Sequence, residues 1–147
     1  MTVPEEPALV SDIEMGRLND THKSFWECDT GIAYLVSGVE GWAPRRMTQI
    51  YDLSDPSQPK FIRNFGLPGQ QPDAPNHEEM AKYDLHGGIR VGNRLYFGYG
   101  TMLNGVIQII DRERMLRGNP AAADPFAPTD ANLEYPVITT MFTSPRL

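Results

Sequence analysis

The stretch LHGGIRVGNRLYFGYGTMLNGVIQIID, residues 85–111, decides the fold of this chain. It contains three apolar segments, GGIRV, RLYFGYG and VIQIID, separated by the pairs Gly92-Asn93 and Asn104-Gly105. Gly and Asn suit these positions because both tolerate the positive φ that tight hairpin turns require. The stretch therefore predicts three consecutive antiparallel strands.

A weaker copy of this pattern lies upstream, between residues 22 and 54. There the segments HKSFWEC, IAYLVSG and RMTQIYDLS follow one another, and the turn DTG joins the first two. Two further apolar segments, KFIRNF (60–65) and YPVITTMF (135–142), each predict an outer strand for one copy. Each copy is therefore expected to be a unit of four antiparallel strands.

The two copies can be aligned residue by residue. The equivalent pairs are His22 and His86, Tyr34 and Tyr96, and Asp52 and Asp111, and their offset falls from 64 to 59 residues. The offset shrinks because the loop after the second strand is longer in the first copy. A repeat of about 60 residues with four strands per unit is typical of a β-propeller blade with long loops.

The distribution of apolar residues supports this interpretation. In IAYLVSG and RLYFGYG apolar side chains occupy both faces of the strand, so both faces must be covered. Stacked propeller blades cover both faces, whereas a β-sandwich leaves one face in water. The predicted fold class is thus all-β, with antiparallel four-stranded blades of a larger, about seven-bladed propeller. A single β-sandwich is the alternative.

The predicted organisation is one partial propeller domain. Residues 1–21 form an inter-blade connection with one loose helical turn within 11–19, residues 22–65 a blade, 66–84 an inter-blade loop, and 85–143 a second blade containing one or two helical turns at 112–118. Known propellers close with about four to eight blades, so two blades leave faces and edges bare. We therefore expect a fragment of a longer protein or a chain that completes itself by association. The expected partners are further blades of the same protein or a second copy.

The end of the third strand carries a family resemblance. An apolar strand ending in Asp52, followed by the turn DLSDPSQP (52–59), resembles the LVIVD-repeat proteins. VIQIID (106–111) is similar to the same repeat core, although RERMLRG replaces the turn after it. The resemblance spans about residues 22–110. It implies a bacterial or archaeal β-propeller of a kind that is often exported, which slightly favours a periplasmic or secreted location, and it implies no particular activity.

Composition excludes several classes of function. The chain has 147 residues and a net charge of −6, and no basic patch is evident in the sequence, so nucleic-acid binding is not expected. No apolar run approaches the roughly 20 residues of a membrane span, and the first ten residues lack the features of a signal peptide. The single cysteine, Cys28, excludes an internal disulfide. Its place in an apolar strand predicts a buried, inert thiol, and Trp26 in the same strand is predicted to be core.

The three histidines are candidate metal ligands. His22 and His86 each open an innermost strand, which lines the channel of a propeller, and His77 lies in the connection before the second blade. All three are expected near the channel mouth, and imidazole is a common ligand of zinc, copper and iron. The favoured alternative is structural: repeat-equivalent histidines cap strand starts or bond to a neighbouring blade, and no diagnostic ligand spacing is present.

The loop GVEGWAPRR holds a second candidate site. Trp42 beside Arg45 and Arg46 can stack on a ligand or anchor a partner. Alternatively, Trp42 covers a neighbouring blade as a hydrophobic lid. The sequence does not distinguish the two.

Two functional hypotheses follow. The first is a non-catalytic scaffold or binding module that holds a protein or small-molecule ligand with its channel-mouth loops. The second is a metal-dependent oxidoreductase or hydrolase with His22 and His86 among the ligands of a transition metal. The sequence identifies no catalytic residues, and a transition metal is the one cofactor under consideration.

Overall fold

The computed structural model describes residues 8–14, 21–100, 105–117, 126 and 135–142. Strands and two short helices make up the regular structure of these ranges. The elements are β1 (Phe25–Trp26), β2 (Ile32–Ser37), β3 (Met47–Asp52), β4 (Lys60–Phe65), α1 (His77–Met80), β5 (Leu85–Val91), β6 (Arg94–Tyr99), β7 (Val106–Asp111), α2 (Arg112–Leu116) and β8 (Val137–Phe142).

The strands form two four-stranded antiparallel sheets, each in chain order. The first sheet has the order β1-β2-β3-β4 and the second β5-β6-β7-β8. The predicted all-β class with two antiparallel units is confirmed. Strand β1 is shorter than HKSFWEC predicts, and Lys23 just before it has a φ of +30°, which is incompatible with extended backbone. The helical turns expected at 112–118 appear as α2, whereas α1 lies in the predicted connection.

Other local predictions have mixed outcomes. Residues 8–14 contain no helix, and the rest of the helical turn predicted within 11–19 lies outside the described residues, as does Asn104 of the second hairpin turn.

Gly31 closes the first hairpin with a φ of +78°, and a Cβ there would lie 2.6 Å from the backbone nitrogen of Ser54. Only glycine fits this turn, because the backbones approach so closely. Gly92 has a φ of +56° at the β5–β6 turn.

Aromatic rings fill the space between the two sheets. Phe97 of β6 lies edge-on to Tyr34 of β2 and Phe65 of β4, with ring centroids 6.0 and 6.3 Å apart. Phe126 extends this cluster, 5.3 Å from Phe65. A Cβ at Gly88 would lie 2.4 Å from the Phe97 ring, so a glycine in β5 makes room for the central aromatic residue. The core is the interface between the sheets.

Two predictions about β1 are wrong. Cys28 is exposed, and Trp26 is 52% exposed. Both lie at the end of a strand of only two residues, where the chain turns away towards Gly31. The side chain that is buried here is the charged one between them, Glu27.

Glu27 is the centre of an ion-pair cluster that joins the sheets. Its carboxylate accepts hydrogen bonds from Arg112 Nε at 2.9 Å and Nη2 at 2.7 Å, and from the Tyr34 hydroxyl at 2.7 Å. Arg90 of β5 adds a contact of 3.3 Å and also pairs with exposed Asp29. The Glu27 side chain is fully buried, so these partners replace the water that the charge has lost.

Two opposing effects set the pKa of Glu27. Burial raises the pKa, but hydrogen bonds from Arg112, Thr30 and Tyr34 together outweigh it and hold the pKa below its ordinary value of 4.5. A carboxyl with a lowered folded-state pKa stabilises the fold above its unfolded pKa. This contribution is lost as the pH falls through the lower, folded-state value.

In the described ranges, no helix combines the length and the apolar character needed to cross a membrane.

The substitution Glu27→Gln tests this cluster. We expect it to lower the free energy of unfolding by about 3 kcal/mol at pH 7, because two arginines lose a buried charged partner. The difference from the unsubstituted protein shrinks below pH 4.5, because the unfolded carboxyl is protonated there first, and it is lost as the pH falls through the lower pKa of the folded carboxyl. Urea denaturation at pH 7 and pH 3 measures both effects. Asp29→Asn is the matched control, since it removes an exposed carboxylate from the same Arg90. Equal effects of the two substitutions at pH 7 would contradict the central role of Glu27.

Candidate functional site

The two repeat-equivalent histidines meet at the edge formed by the starts of the innermost strands. His22 precedes β1 and donates its backbone N–H to Val36 O at 3.3 Å, while His86 is the second residue of β5. The imidazole centroids are 4.7 Å apart, and the rings are inclined by 66° in an edge-to-face arrangement. The inner strands of the two sheets lie side by side and bring these residues together.

Lys23 lies beside these histidines because the backbone of β5 approaches the segment before β1 closely at Gly87. A Cβ at Gly87 would lie 3.1 Å from Lys23 Cβ and 3.2 Å from Lys23 O, so glycine lets β5 approach the segment before β1. Lys23 adopts a φ of +30°, a conformation that costs a non-glycine residue about 1–3 kcal/mol. Lys23 and His86 line an open cleft of about 240 Å³, together with Gly87, Gly88, Ile89 and Tyr96.

The charge around His86 is positive. Partial loss of hydration lowers its pKa from the ordinary value of 6.5, and the charges of Lys23, His22 and Arg46 lower it further. Lysine and arginine stay charged at neutral pH, so they disfavour protonation of a neighbouring imidazole. Three basic side chains of the described residues therefore lie close enough to His86 to act on its pKa.

Asp84 anchors the two arginines of the sequence-predicted site. Its carboxylate accepts hydrogen bonds from Arg45 Nε and Nη2, both at 3.2 Å, and from the backbone N–H of Arg46 at 3.2 Å. The guanidinium of Arg46 lies 3.6 Å from the same carboxylate. Leu85 also donates its backbone N–H to Arg46 O at 2.9 Å, so this cluster fastens the start of β5 to the first sheet.

His77 lines a different cleft from His86. It begins α1, and its Nδ1 lies 3.0 Å from Gln71 O. Across residues 8–14, 21–100, 105–117, 126 and 135–142, no group of three or more His, Cys, Asp or Glu side chains could hold a metal ion. His22 and His86 come together, then, without forming such a ligand group with His77.

Trp42 packs on the core. Its ring lies 6.0 Å from that of Phe126, edge to face, and its Cζ3 would be 3.3 Å from a Cβ at Gly66. A position on the core is what the interpretation of Trp42 as a hydrophobic lid predicts. Arg45, with 58% of its side chain exposed, and the mostly buried Arg46 are the neighbours that contact Asp84. Ligand binding by these three residues stays a prediction.

Comparisons of this chain with known protein families, with curated proteins and with solved structures found no match. The site is therefore interpreted from its own geometry.

Sequence reasoning found the histidine pair but missed Lys23. The residue stands where the repeat has Gly87, and neither its type nor its position suggested a role. The signal was available in principle: two equivalent strand starts that meet also bring their next residues together. The positive φ of Lys23 carries no sequence signature.

The substitution Lys23→Gln tests the electrostatic description of the cleft. We expect the pKa of His86 to rise towards 6.5, because one neighbouring positive charge is removed while the partial loss of hydration remains. Histidine NMR signals followed through a pH titration measure the change. Lys82→Gln is the control, since this lysine lies over the Tyr83 ring and does not contribute to the shift of His86. An unchanged pKa in Lys23→Gln would contradict the description.

Proposed function

We propose that the protein is a binding scaffold of the β-propeller type, in which the two sheets are neighbouring blades and a further sheet completes the stack. The observation that carries the proposal is a repeat relation between two faces. The face with which the first sheet packs on the second corresponds, residue for residue, to the face that the second sheet turns outwards.

The strand registers define the outward face, here called the distal face of the second sheet. Ile89 pairs with Tyr96, Tyr96 with Ile109, and Ile107 with Met141, so these five side chains lie on one side. Phe97, the next residue in β6, points to the first sheet and contacts Tyr34. The distal face is therefore apolar and turned away from the first sheet.

The equivalent residues of the first sheet form the buried interface. Aligned by register, Ile89 corresponds to Phe25, Tyr96 to Tyr34, Ile107 to Thr48, Ile109 to Ile50, and Met141 to Phe65. Tyr34, Thr48, Ile50 and Phe65 are almost completely buried, whereas Ile89, Ile107 and Met141 are between 44 and 60% exposed. Each sheet thus carries the same contact face, and within the described residues only the first has it covered by a sheet.

Head-to-tail stacking of this kind distinguishes blades from a sandwich. Two sheets of a sandwich bury their inner faces against each other and expose polar outer faces. Heterologous contacts, in which one surface meets a different surface of the next unit, propagate into rings when the rotation closes. In such a series each sheet presents the same apolar face to the next sheet. In the last sheet of an incomplete series this face stays exposed.

Two details strengthen the repeat. Both sheets have an irregularity at the same register position between their third and fourth strands, after Ile50 and after Ile109. Gln49 and Gln108 are also equivalent and buried. Gln108 accepts from the Tyr99 hydroxyl at 2.9 Å and donates to Gly66 O of the first sheet's side at 3.3 Å, so it spans the interface between the sheets. Repeated structural devices of this kind favour repeated packing.

The first sheet is covered on its other side as well. Residues 10–13 line a cleft together with Trp26 and Leu35 there, and Ser11 Oγ donates a hydrogen bond to Pro56 O. Ala33, Ser37 and Met47 of that face are almost inaccessible to water. The distal face of the second sheet is therefore the place where we propose that the next sheet packs.

Resemblance to the LVIVD repeat agrees with this proposal. In the turn DLSDPSQP, Asp52 accepts from the backbone N–H of Ser54 at 2.8 Å and Asp55 from that of Ser57 at 3.0 Å. The side chains thus fold back on the backbone as Asx turns do. We propose that the repeat is of this type, and that the scaffold holds its ligand at the edge where His22 and His86 meet.

The substitution Ile107→Glu tests the scaffold proposal. We expect the 147-residue chain to self-associate and to bind an apolar dye through its distal face, because apolar surface of this extent is rarely left in water. A charge at position 107 is expected to reduce the association constant by roughly tenfold or more. Sedimentation equilibrium and dye fluorescence measure the two effects.

Leu9→Glu is the control for this experiment, because it changes a still more exposed apolar side chain that lies outside both sheets. Association that survives Ile107→Glu but not Leu9→Glu would overturn the proposal. So would a strictly monomeric chain that binds no dye.

A further inference from the structure

We infer that the cleft bounded by Lys23 and His86, with His22 beside it, binds an oxyanion, either a phosphate or a carboxylate group. The inference deepens the proposed function and rests on it for the location of the ligand at the meeting point of the inner strands. Its evidence, however, is the local charge and shape of the cleft, which are independent of the number of sheets.

Positive groups converge on this cleft, and no carboxylate of the described residues forms an ion pair with them. In the described part of the chain, His22, Lys23 and His86 form no ion pair with an acidic side chain. The nearby carboxylate, Asp84, is already shared between Arg45 and Arg46. The chain as a whole carries a net charge of −6. An anion is the ligand that the positive groups of the cleft attract.

The groups also offer the right hydrogen bonds. A lysine ammonium carries three donors, and each protonated imidazole carries two, whereas none of them then accepts. Charge-assisted hydrogen bonds from such groups to phosphate or carboxylate are about twice as strong as neutral ones. The two rings lie 4.7 Å apart by their centroids, so one oxyanion can reach both. When both imidazoles are protonated, the anion relieves their mutual repulsion.

The strained backbone points to the same cleft. Lys23 is one of two non-glycine residues with positive φ in the described ranges, and the strain holds it against Gly87. Strain of this kind is concentrated at ligand sites, where it fixes a side chain in advance of binding.

Electrostatics argues against a metal cation in the same place. Lys23 and Arg46 repel a divalent ion, and two imidazoles without a third described ligand make an incomplete site. The pH dependence separates the two ligand classes. Anion binding strengthens when histidines gain protons, whereas metal binding weakens because protons compete for the same nitrogens.

The apolar wall of the cleft indicates what carries the oxyanion. Ile89 and Tyr96 line the cleft and also belong to the distal face. A further sheet on that face would pack against this apolar side of the cleft. The volume of about 240 Å³ fits a small organic anion better than a macromolecular chain.

Calorimetric titration of the full chain at low ionic strength tests the inference. The probes are inorganic phosphate and acetate, which separate a phosphate site from a carboxylate site. We expect one of them to bind, more tightly at pH 5.5 than at pH 7.5, because protonation of His86 beside Lys23, Arg45, Arg46 and Asp84 adds positive charge to the cleft as the pH falls. The double substitution Lys23→Gln, His86→Gln is expected to weaken binding by roughly tenfold or more, the effect of losing charge-assisted hydrogen bonds.

Lys82→Gln is the matched control, because it removes an exposed positive charge away from the cleft and should leave the affinity unchanged. Thermal unfolding of all variants shows whether they remain folded. Failure of both anions to bind, or binding that the double substitution leaves intact, would overturn the inference. Binding of zinc that requires both histidines and strengthens with rising pH would overturn it in favour of a metal site.

The two proposals fail separately. If no anion binds but the self-association is still sensitive to Ile107→Glu, the scaffold proposal stands and the proposed ligand class is wrong. If the chain is strictly monomeric but binds an anion through Lys23 and His86, the proposed anion site stands and the proposed further sheet is wrong.

Discussion

The buried carboxylate of Glu27 is the interaction on which the arrangement of the two sheets depends. It lies at the end of β1, yet its strongest partner is Arg112, which follows β7 of the other sheet. A buried charge without its partner costs several kcal/mol, so the second sheet must present its arginines at this point. Burial of the aromatic rings between the sheets depends much less on orientation than this ion pair does. Glu27 fixes which part of the second sheet faces the first.

A second ion cluster fixes the opposite end of β5. Asp84 precedes the strand and holds Arg45 and Arg46, whereas Arg90, near its end, contacts Glu27. The two anchors are about 20 Å apart along an extended strand. Attachment at two such points prevents β5 from pivoting against the first sheet. It also determines the site, because a β5 strand held in this way must bring His86 to His22 at its beginning.

The sequence predicted those features that depend on local chemistry or on the repeat. Apolar segments and Gly-containing turns gave the strands and their antiparallel order, and equivalent histidines suggested a meeting point. Three features could not be predicted in this way. Arg112 reaches Glu27 across 85 residues, so no local pattern announces the pair. Cys28 and Trp26 are part of an apolar segment in the sequence, but Trp26 ends a strand of two residues and Cys28 lies beyond it. Lys23 acquires its significance only from the approach of Gly87.

The distribution of charge connects the fold with the proposed binding. The chain has more carboxylates than basic side chains. At the two ion clusters, however, the carboxylates form ion pairs within the fold. Glu27 pairs with Arg112 and Arg90, and Asp84 pairs with Arg45 and Arg46. Lys23 and the two histidines are the basic groups of the inner edge that the fold does not use in an ion pair among the described residues. Among the described residues, the fold leaves Lys23 beside the two histidines and holds its backbone at an energetic cost, and the anion that we propose is the physical counterpart to this cleft.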